Sequence, residues 1–227
     1  MKRLVIKMSI GINSTYLCNN TNYRKNRTSD IRYIVIHYVG ATGSALNNVK
    51  YYSTTPNIGA SSHYFVGHAS ENGEIYQSVP DECCAWHCGT KGNYYHACRN
   101  DSAIGIEMCC HKDKNGNWYF DDITVKKTIE LTKELMAKYS IPVENVIRHY
   151  DVTHKTCPAP FVNDISAWNK FKEALCSKSE LETINDIVWE LSHRGIISNK
   201  ELWIKKLSED TNVYWLARKA ANYIRKL

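Results

Sequence analysis

Short apolar runs separated by polar turns occupy most of the chain, and their periodicity predicts the secondary structure. The strand-like runs are rich in β-branched and aromatic residues. Asn72-Gly73 separates two of them and predicts a hairpin turn. Runs of this kind predict five strands, at 32–38, 62–67, 74–79, 103–109 and 145–149.

Longer segments with helical spacing alternate with these strands. The clearest begins at Asp122, places Val125, Ile129 and Met136 near one face, and ends near Pro142. Two others are predicted at 46–52 and 163–175, and 81–101 reads as a long loop dense in Cys, His, Trp and Tyr. This mixed order predicts an α/β fold class, with a central mixed β-sheet flanked by helices.

The two ends of the chain differ from this middle part. Residues 1–30 are polar and weakly periodic and predict an extended arm with at most one strand. Residues 178–227 predict a small bundle of three helices, the first with Leu181, Ile184, Val188 and Leu191 and the last with Val213, Leu216, Ala220 and Ile224 facing a core. The predicted domains are therefore 1–30, 31–176 and 178–227.

Composition narrows the class of protein. With 227 residues, 43% of them hydrophobic, the chain can bury the core of one medium domain and a small appendage. No apolar run approaches the length of a membrane span, and Lys7 interrupts the only stretch that resembles a signal peptide, so we expect synthesis in the cytoplasm without a signal peptide. Nine cysteines, an odd number without a Cys-x-x-Cys unit, favour reduced thiols over a disulfide scaffold.

The net charge of +6 is unevenly distributed. Residues 1–30 contain six Lys or Arg and one acidic residue, Asp30, whereas 31–176 has a net charge of −1 and 177–227 one of +2. A basic arm favours encounters with polyanions such as nucleic acid, anionic membrane surfaces or anionic wall polymers, and a merely solubilising tail explains it equally well. The neutral middle part does not support nucleic-acid binding.

Residues of metal-binding type stand at the ends of predicted strands. His37 closes the first strand, and the segment 148–158 contains His149 and, eight residues later, Cys157. Two imidazoles and a thiolate suit tetrahedral zinc and leave a fourth position for water, which is the arrangement of a catalytic site. Because the chain has nine His and nine Cys, spacing alone leaves many other triplets open.

Five motifs in the order of the chain carry a family resemblance: Ile34-Val35-Ile36-His37-Tyr38, Ser61-Ser62-His63-Tyr64-Phe65, Ala85-Trp86-His87-Cys88-Gly89, Ile104-Gly105-Ile106-Glu107, and Arg148-His149-Tyr150-Asp151 with Lys155-Thr156-Cys157-Pro158. Together they resemble the type 2 N-acetylmuramoyl-L-alanine amidases, a family that includes the peptidoglycan recognition proteins. The resemblance covers about 31–175 and is nearest to amidase endolysins from phages of Gram-positive bacteria.

This resemblance implies one zinc ion bound by His37, His149 and Cys157, with Glu107 and Lys155 as catalytic residues. Glu107 would accept a proton from the attacking water and pass it to the departing amine, and Lys155 would face the developing oxyanion. We expect His63, Trp86 and His87 to contact the glycan or peptide, although aromatic-rich loops also pack on themselves. Some relatives use a tyrosine near the second motif, where this chain has His63 and Tyr64, and the sequence leaves the role of that strand open.

The implied reaction is hydrolysis of the amide bond between N-acetylmuramic acid and L-alanine in bacterial peptidoglycan. A chain without an export signal predicts a phage or prophage endolysin, or equally a host autolysin, that acts at the cell wall. The helical segment 178–227 predicts a wall-binding module or an oligomerisation module, the latter giving a homodimer. The alternative from another class is a non-catalytic peptidoglycan-binding protein on the same fold, which the presence of Cys157 disfavours.

Overall fold

The computed structural model describes residues 10–89, 94–95, 97–176 and 184–226. Its contacts divide the chain into two compact units, one ending at Leu175 and one beginning at Cys176. All nine cysteines are free, and each except Cys176 is buried. No helix in the described ranges is long and apolar enough to cross a membrane.

A mixed six-stranded sheet forms the centre of the first unit. The strands of this unit are β1 (Ile12–Asn13), β2 (Tyr23–Arg24), β3 (Tyr33–Tyr38), β4 (Tyr64–Val66), β5 (Ile75–Gln77), β6 (Cys84–Ala85), β7 (Ala103–Met108), β8 (His111–Lys112), β9 (Trp118–Tyr119) and β10 (Val146–Arg148). The central sheet has the order β1, β5, β4, β7, β3, β10, and only β5 against β4 is an antiparallel pair. Two short two-stranded ribbons, β2 with β6 and β8 with β9, accompany it.

Helices of this unit are α1 (Ala45–Thr54), α2 (Asp122–Tyr139), α3 (His149–Thr153), α4 (Ala159–Asn163) and α5 (Ile165–Cys176). The main core lies on one face of the sheet, where Ile34 and Ile36 of β3 and Ile104 and Ile106 of β7 pack with Leu131 and other apolar residues from α2 and α5. Alternation along each strand therefore sends the intervening residues to the opposite face.

The predicted α/β fold class is confirmed, with boundaries shifted by a few residues. The 32–38, 62–67, 74–79, 103–109 and 145–149 runs each contain a strand, and β4 pairs antiparallel with β5 as the hairpin prediction requires. One difference concerns His149, which was expected to end a strand and instead begins the short helix α3. The Asp151 carboxylate accepts the Arg148 backbone N–H at 2.8 Å, which stabilises the start of that helix.

The prediction of an extended arm is wrong for residues 10–30. β1 extends the central sheet beside β5, and β2 pairs with β6. Arg27 inserts its guanidinium into the domain and donates to the backbone oxygens of Asp81 at 2.6 Å and Asp101 at 2.7 Å. These bonds satisfy carbonyls that the sequence pattern does not reveal as needing donors. Residues 1–9, which carry the other half of the arm's basic residues, lie outside the described residues.

The second unit contains α6 (Ile184–His193), α7 (Lys200–Glu209) and α8 (Thr211–Lys226), packed around Ile187, Val188, Leu191, Ile197, Leu207, Ala217 and Ala221. Three helices are found as predicted, and Val213 and Ile224 of α8 pack against this core as expected, whereas Leu216 and Ala220 do not. Leu216 is 71% exposed and Ala220 is also exposed, whereas Ala217 and Ala221 pack inside. The small side chains of Ala217 and Ala221 allow neighbouring helices to approach closely, and a pattern based on hydrophobicity does not take side-chain size into account. Leu181 lies outside the described residues.

Candidate functional site

The face of the sheet opposite the main core carries the site. On β3, Ile34 and Ile36 belong to the main core, so His37 points to the other side, and on β7 the same alternation places Glu107 there. The two residues are direct partners across the β3–β7 pair. Because β10 lies on the other side of β3, His149, which follows it immediately, also reaches this edge.

His37, His149 and Cys157 converge at this edge, and all three are buried. One ligand-type atom from each lies within 4.8 Å of the others, and His37 Nδ1 is 3.7 Å from Cys157 Sγ. A nitrogen at about 2.1 Å and a sulfur at about 2.3 Å from a tetrahedral zinc ion are separated by about 3.6 Å. The donor set and its spacing therefore fit a small soft divalent cation.

Two buried polar atoms at this place support the fit. Among the described residues, His149 Nδ1 and Glu107 Oε2 have no hydrogen-bond partner. Buried polar groups are normally satisfied, and a metal ion would supply the partner that the His149 nitrogen lacks. The three side chains can thus bind a metal ion with the donor atoms that are already present at this place.

Electrostatics in the metal-free protein keep the three groups uncharged. Burial lowers the pKa of His37 well below its ordinary value, and burial together with the Lys155 charge lowers the pKa of His149 to about 4. Burial also raises the pKa of the Cys157 thiol to about 12. A cation placed among them would reverse the last effect, because it favours the thiolate.

Glu107 and Lys155 border the three residues. Glu107 Oε1 lies 4.0 Å from His37 Nδ1, and its side chain is 20% exposed. Burial raises the pKa of the Glu107 carboxyl to about 8, and the Lys155 charge opposes that rise. Lys155 itself is exposed, in the loop between α3 and Cys157. Its charge acts on His37, His149 and Glu107, so the structure brings both residues to the same site.

Two of the three residues predicted to contact substrate, His63 and His87, are buried in the interior of the unit. His63 is fully buried, accepts the Gly105 N–H at 2.9 Å, and has Arg27 Nη2 2.6 Å from its Nε2. His87 is 8% exposed, and its Nδ1 lies 3.0 Å from His37 Nε2. Neither imidazole faces an open groove, because β4 and the 86–88 segment pack these rings against the sheet. Trp86 is half-buried, and its contact with substrate stays a prediction.

The second motif, residues 61–65, has His63 and Tyr64 on opposite faces of the central sheet. Tyr64 donates its hydroxyl to Asp81 at 2.6 Å on the side of the main core, and Lys138 and Tyr139 bond to the same carboxylate. The Tyr64 hydroxyl is therefore part of a structural hydrogen-bond network, and His63 is the residue of this motif on the face of the sheet that carries the site.

Sequence reasoning also missed Arg27, because a single basic residue in a polar segment has no periodic signal.

Acid is expected to destabilise the metal-free protein through these neutral histidines. The pKa of His63 is lowered to about 3 by burial and that of His149 to about 4, against 6.5 for an ordinary histidine. Below pH 6.5 the unfolded chain therefore binds protons that the folded protein excludes, and each histidine costs about 1.4 kcal/mol per pH unit. Urea denaturation at pH 7, 6 and 5 with a chelator present measures this loss. A free energy of unfolding that stays constant over this interval would contradict it.

Comparisons with known proteins agree with this geometry. Residues 27–160 match the family model described as N-acetylmuramoyl-L-alanine amidase. The chain is 29% identical over 191 residues to N-acetylmuramoyl-L-alanine amidase BlyA of Bacillus subtilis (strain 168), a match that covers 78% of this chain and 50% of that protein. It is 31% identical over 168 residues to the amidase CwlL of Bacillus licheniformis, covering 70% of this chain and 44% of that protein.

Among solved structures, the catalytic domain of XlyA superposes with a TM-score of 0.58 at 26% identity, covering 73% of this chain and 99% of that domain. The chain spans about half the length of the curated relatives it matches. The matched range contains the positions of His37, Glu107, His149 and Cys157. Because it extends over more than half of the residues, the chain belongs to the N-acetylmuramoyl-L-alanine amidase family.

Proposed function

We propose that this protein hydrolyses the amide bond between N-acetylmuramic acid and L-alanine in bacterial peptidoglycan, using one zinc ion held by His37, His149 and Cys157. The observation that carries the proposal is the convergence of these three side chains, from separate parts of the chain, beside the carboxylate of Glu107. When bound, zinc supplies a water of lowered pKa and polarises the scissile carbonyl.

Proton transfer, stabilisation of the oxyanion and substrate binding are assigned to side chains of the protein. The positive charge of a bound zinc ion, added to that of Lys155, would lower the raised pKa of the Glu107 carboxyl and favour its carboxylate form. That carboxylate, beside His37 and partly exposed, accepts a proton from the attacking water and returns it to the departing amine. Lys155, exposed at the rim, faces the oxyanion that develops on the carbonyl. Trp86 contacts the glycan or the stem peptide.

The decisive experiment identifies the bond. Purified sacculi are digested, and mass spectrometry together with N-terminal analysis detects free stem peptides that begin with L-alanine. We expect them to appear, to disappear with a chelator, and to return with added zinc. New reducing sugar ends or a different new N-terminus would assign another bond. Binding to sacculi without any release would support a non-catalytic peptidoglycan-binding protein instead.

At the cell wall the protein acts as a phage or prophage endolysin or as an autolysin. The family and its bacterial relatives support the site of action, while the two biological roles share the same chemistry. The prediction that 1–30 attaches to anionic wall polymers or membrane surfaces rests largely on Lys2, Arg3 and Lys7, outside the described residues. Within the described part, Arg27 is committed to interior contacts and Arg24 pairs with Asp101.

The helical unit is proposed as a wall-binding module, and its alternative role in a homodimer stays a prediction. α8 contains four Lys or Arg and no acidic residue. Its outer side exposes Trp215 by 48%, Leu216 by 71% and Tyr223 by 68%. Aromatic faces with adjacent cations suit a polymer that combines sugar rings with anionic groups.

We expect the double variant Trp215→Ser with Tyr223→Ser to bind sacculi about tenfold more weakly, because two exposed aromatic contacts of about 0.7 kcal/mol each are lost. Since both rings are exposed, the thermal stability should change little. Co-sedimentation of the full chain with sacculi measures the effect, and Tyr51→Ser, an aromatic 53% exposed in the first unit, is the control. Equal sedimentation with a changed oligomeric state would favour the dimerisation role.

A further inference from the structure

One imidazole of the proposed metal site, His37, is contacted by a second, buried imidazole, that of His87. His87 Nδ1 lies 3.0 Å from His37 Nε2, and the two rings meet edge to face with centroids 5.1 Å apart. His87 is on the side of His37 away from the proposed ligand position, since His37 turns its Nδ1 toward Cys157.

We propose that His87 is a positioning residue, which holds His37 in the ring orientation and tautomer that bind the metal. This inference rests on the proposed metal site and names a function for a residue that the sequence had suggested as a substrate contact. Its effect is on the affinity of the site for the ion.

The tautomer follows from the geometry. A neutral imidazole carries one N–H, and the nitrogen that binds a metal must be free of it. With Nδ1 of His37 facing the Cys157 sulfur, its hydrogen belongs on Nε2, where His87 Nδ1 is the acceptor. Because His37 is only 2% exposed, water cannot replace this acceptor, and loss of the bond would favour the tautomer that blocks the ligand nitrogen.

His87 is itself held firmly in place. A Cβ at Gly105 would lie 2.7 Å from His87 Cγ, so only glycine at that position of β7 lets the ring lie against the sheet. The backbone N–H groups of His87 and Cys88 both donate to Asn100 Oδ1, at 3.0 and 2.7 Å. The Cys88 sulfur lies 3.3 Å from His87 Nδ1 and is a second, weak donor to it.

The test compares three substitutions in the full chain. His87→Leu removes the acceptor, His87→Asn keeps one at the Nδ1 position, and His87→Gln carries its amide one bond farther out. We expect zinc affinity, measured by competition with a chromophoric chelator, to fall about 10- to 100-fold in His87→Leu and His87→Gln. His87→Asn should restore it to within about threefold. Cys18→Ala, which removes a buried thiol from a separate cluster, should bind zinc like the wild type.

A spectroscopic readout separates positioning from general destabilisation. The visible absorption of the Co²⁺-substituted protein should change in His87→Gln and return to the wild-type form in His87→Asn. If His87→Leu does not fold, the Asn and Gln pair decides, since both are polar. Equal affinities and spectra in that pair would overturn the inference. A wild-type protein that binds no zinc would instead refute the proposed metal site, so the two failures are distinguishable.

Discussion

Replacing Cys157 with alanine is expected to abolish stoichiometric zinc binding and to lower amide hydrolysis about 10³-fold or more. Cys157 supplies the only sulfur of the proposed ligand set, and its Sγ lies 3.7 Å from His37 Nδ1. A metal ion contributes several kcal/mol of transition-state stabilisation, and each 1.36 kcal/mol corresponds to a factor of ten. Metal analysis after gel filtration, combined with the rate at which stem peptides with an N-terminal L-alanine are released from sacculi, measures both effects.

Cys18→Ala is the matched control for this prediction. Cys18 is likewise a buried thiol, 5% exposed, and it packs with Val79, Cys83 and Ala85 away from the three ligands. Its removal should leave the zinc content and the rate near those of the wild type. If Cys157→Ala retained one zinc ion and the wild-type rate, the proposed centre would be wrong, even with the family membership intact.

Replacing Glu107 with glutamine is expected to lower the turnover rate by about 10²- to 10⁴-fold while zinc binding is retained. The two side chains have nearly the same shape, but an amide cannot accept the proton of the attacking water. Glu107 Oε1 is 4.0 Å from His37 Nδ1, and its Oε2 has no partner among the described residues, so one oxygen is available for that proton. Retained zinc distinguishes this loss from a collapse of the metal site.

Initial rates of stem-peptide release and the zinc content of the same samples check this second prediction. Glu82→Gln serves as the control, because Glu82 is an exposed carboxylate in the same unit. A Glu107→Gln rate within threefold of the wild type would remove Glu107 from the proton transfer. Loss of zinc together with activity would assign it to the metal site instead.

Local pattern was sufficient for β3, β4, β5, β7 and β10 and for the three longer helices of the first unit, α1, α2 and α5. It did not predict the two-residue strands or the short helices α3 and α4. The apolar runs at 32–38 and 103–109 predicted β3 and β7, and the two-residue period of a strand places His37 and Glu107 on the face away from the main core. The resemblance, through five short motifs, singled out His37, His149 and Cys157 from many His and Cys combinations, and the fold brings these three together. Strands, helices and short motifs depend on residues that are close together in the chain, and the sequence gives the spacing of those residues directly.

Tertiary structure alone decided which polar groups meet. It placed Arg27 beneath His63, bound Tyr64 to Asp81, and set His87 against His37 because Gly105 leaves room for the ring. It also left Leu216 of α8 exposed, although Val213 and Ile224 of the same predicted face pack against the core. Each of these contacts joins residues far apart in the chain, and its energy comes from burial and hydrogen bonding between surfaces that exist only after folding. Periodicity reports which face of an element is apolar, but it carries no information on what that face, or a buried polar atom on it, will touch.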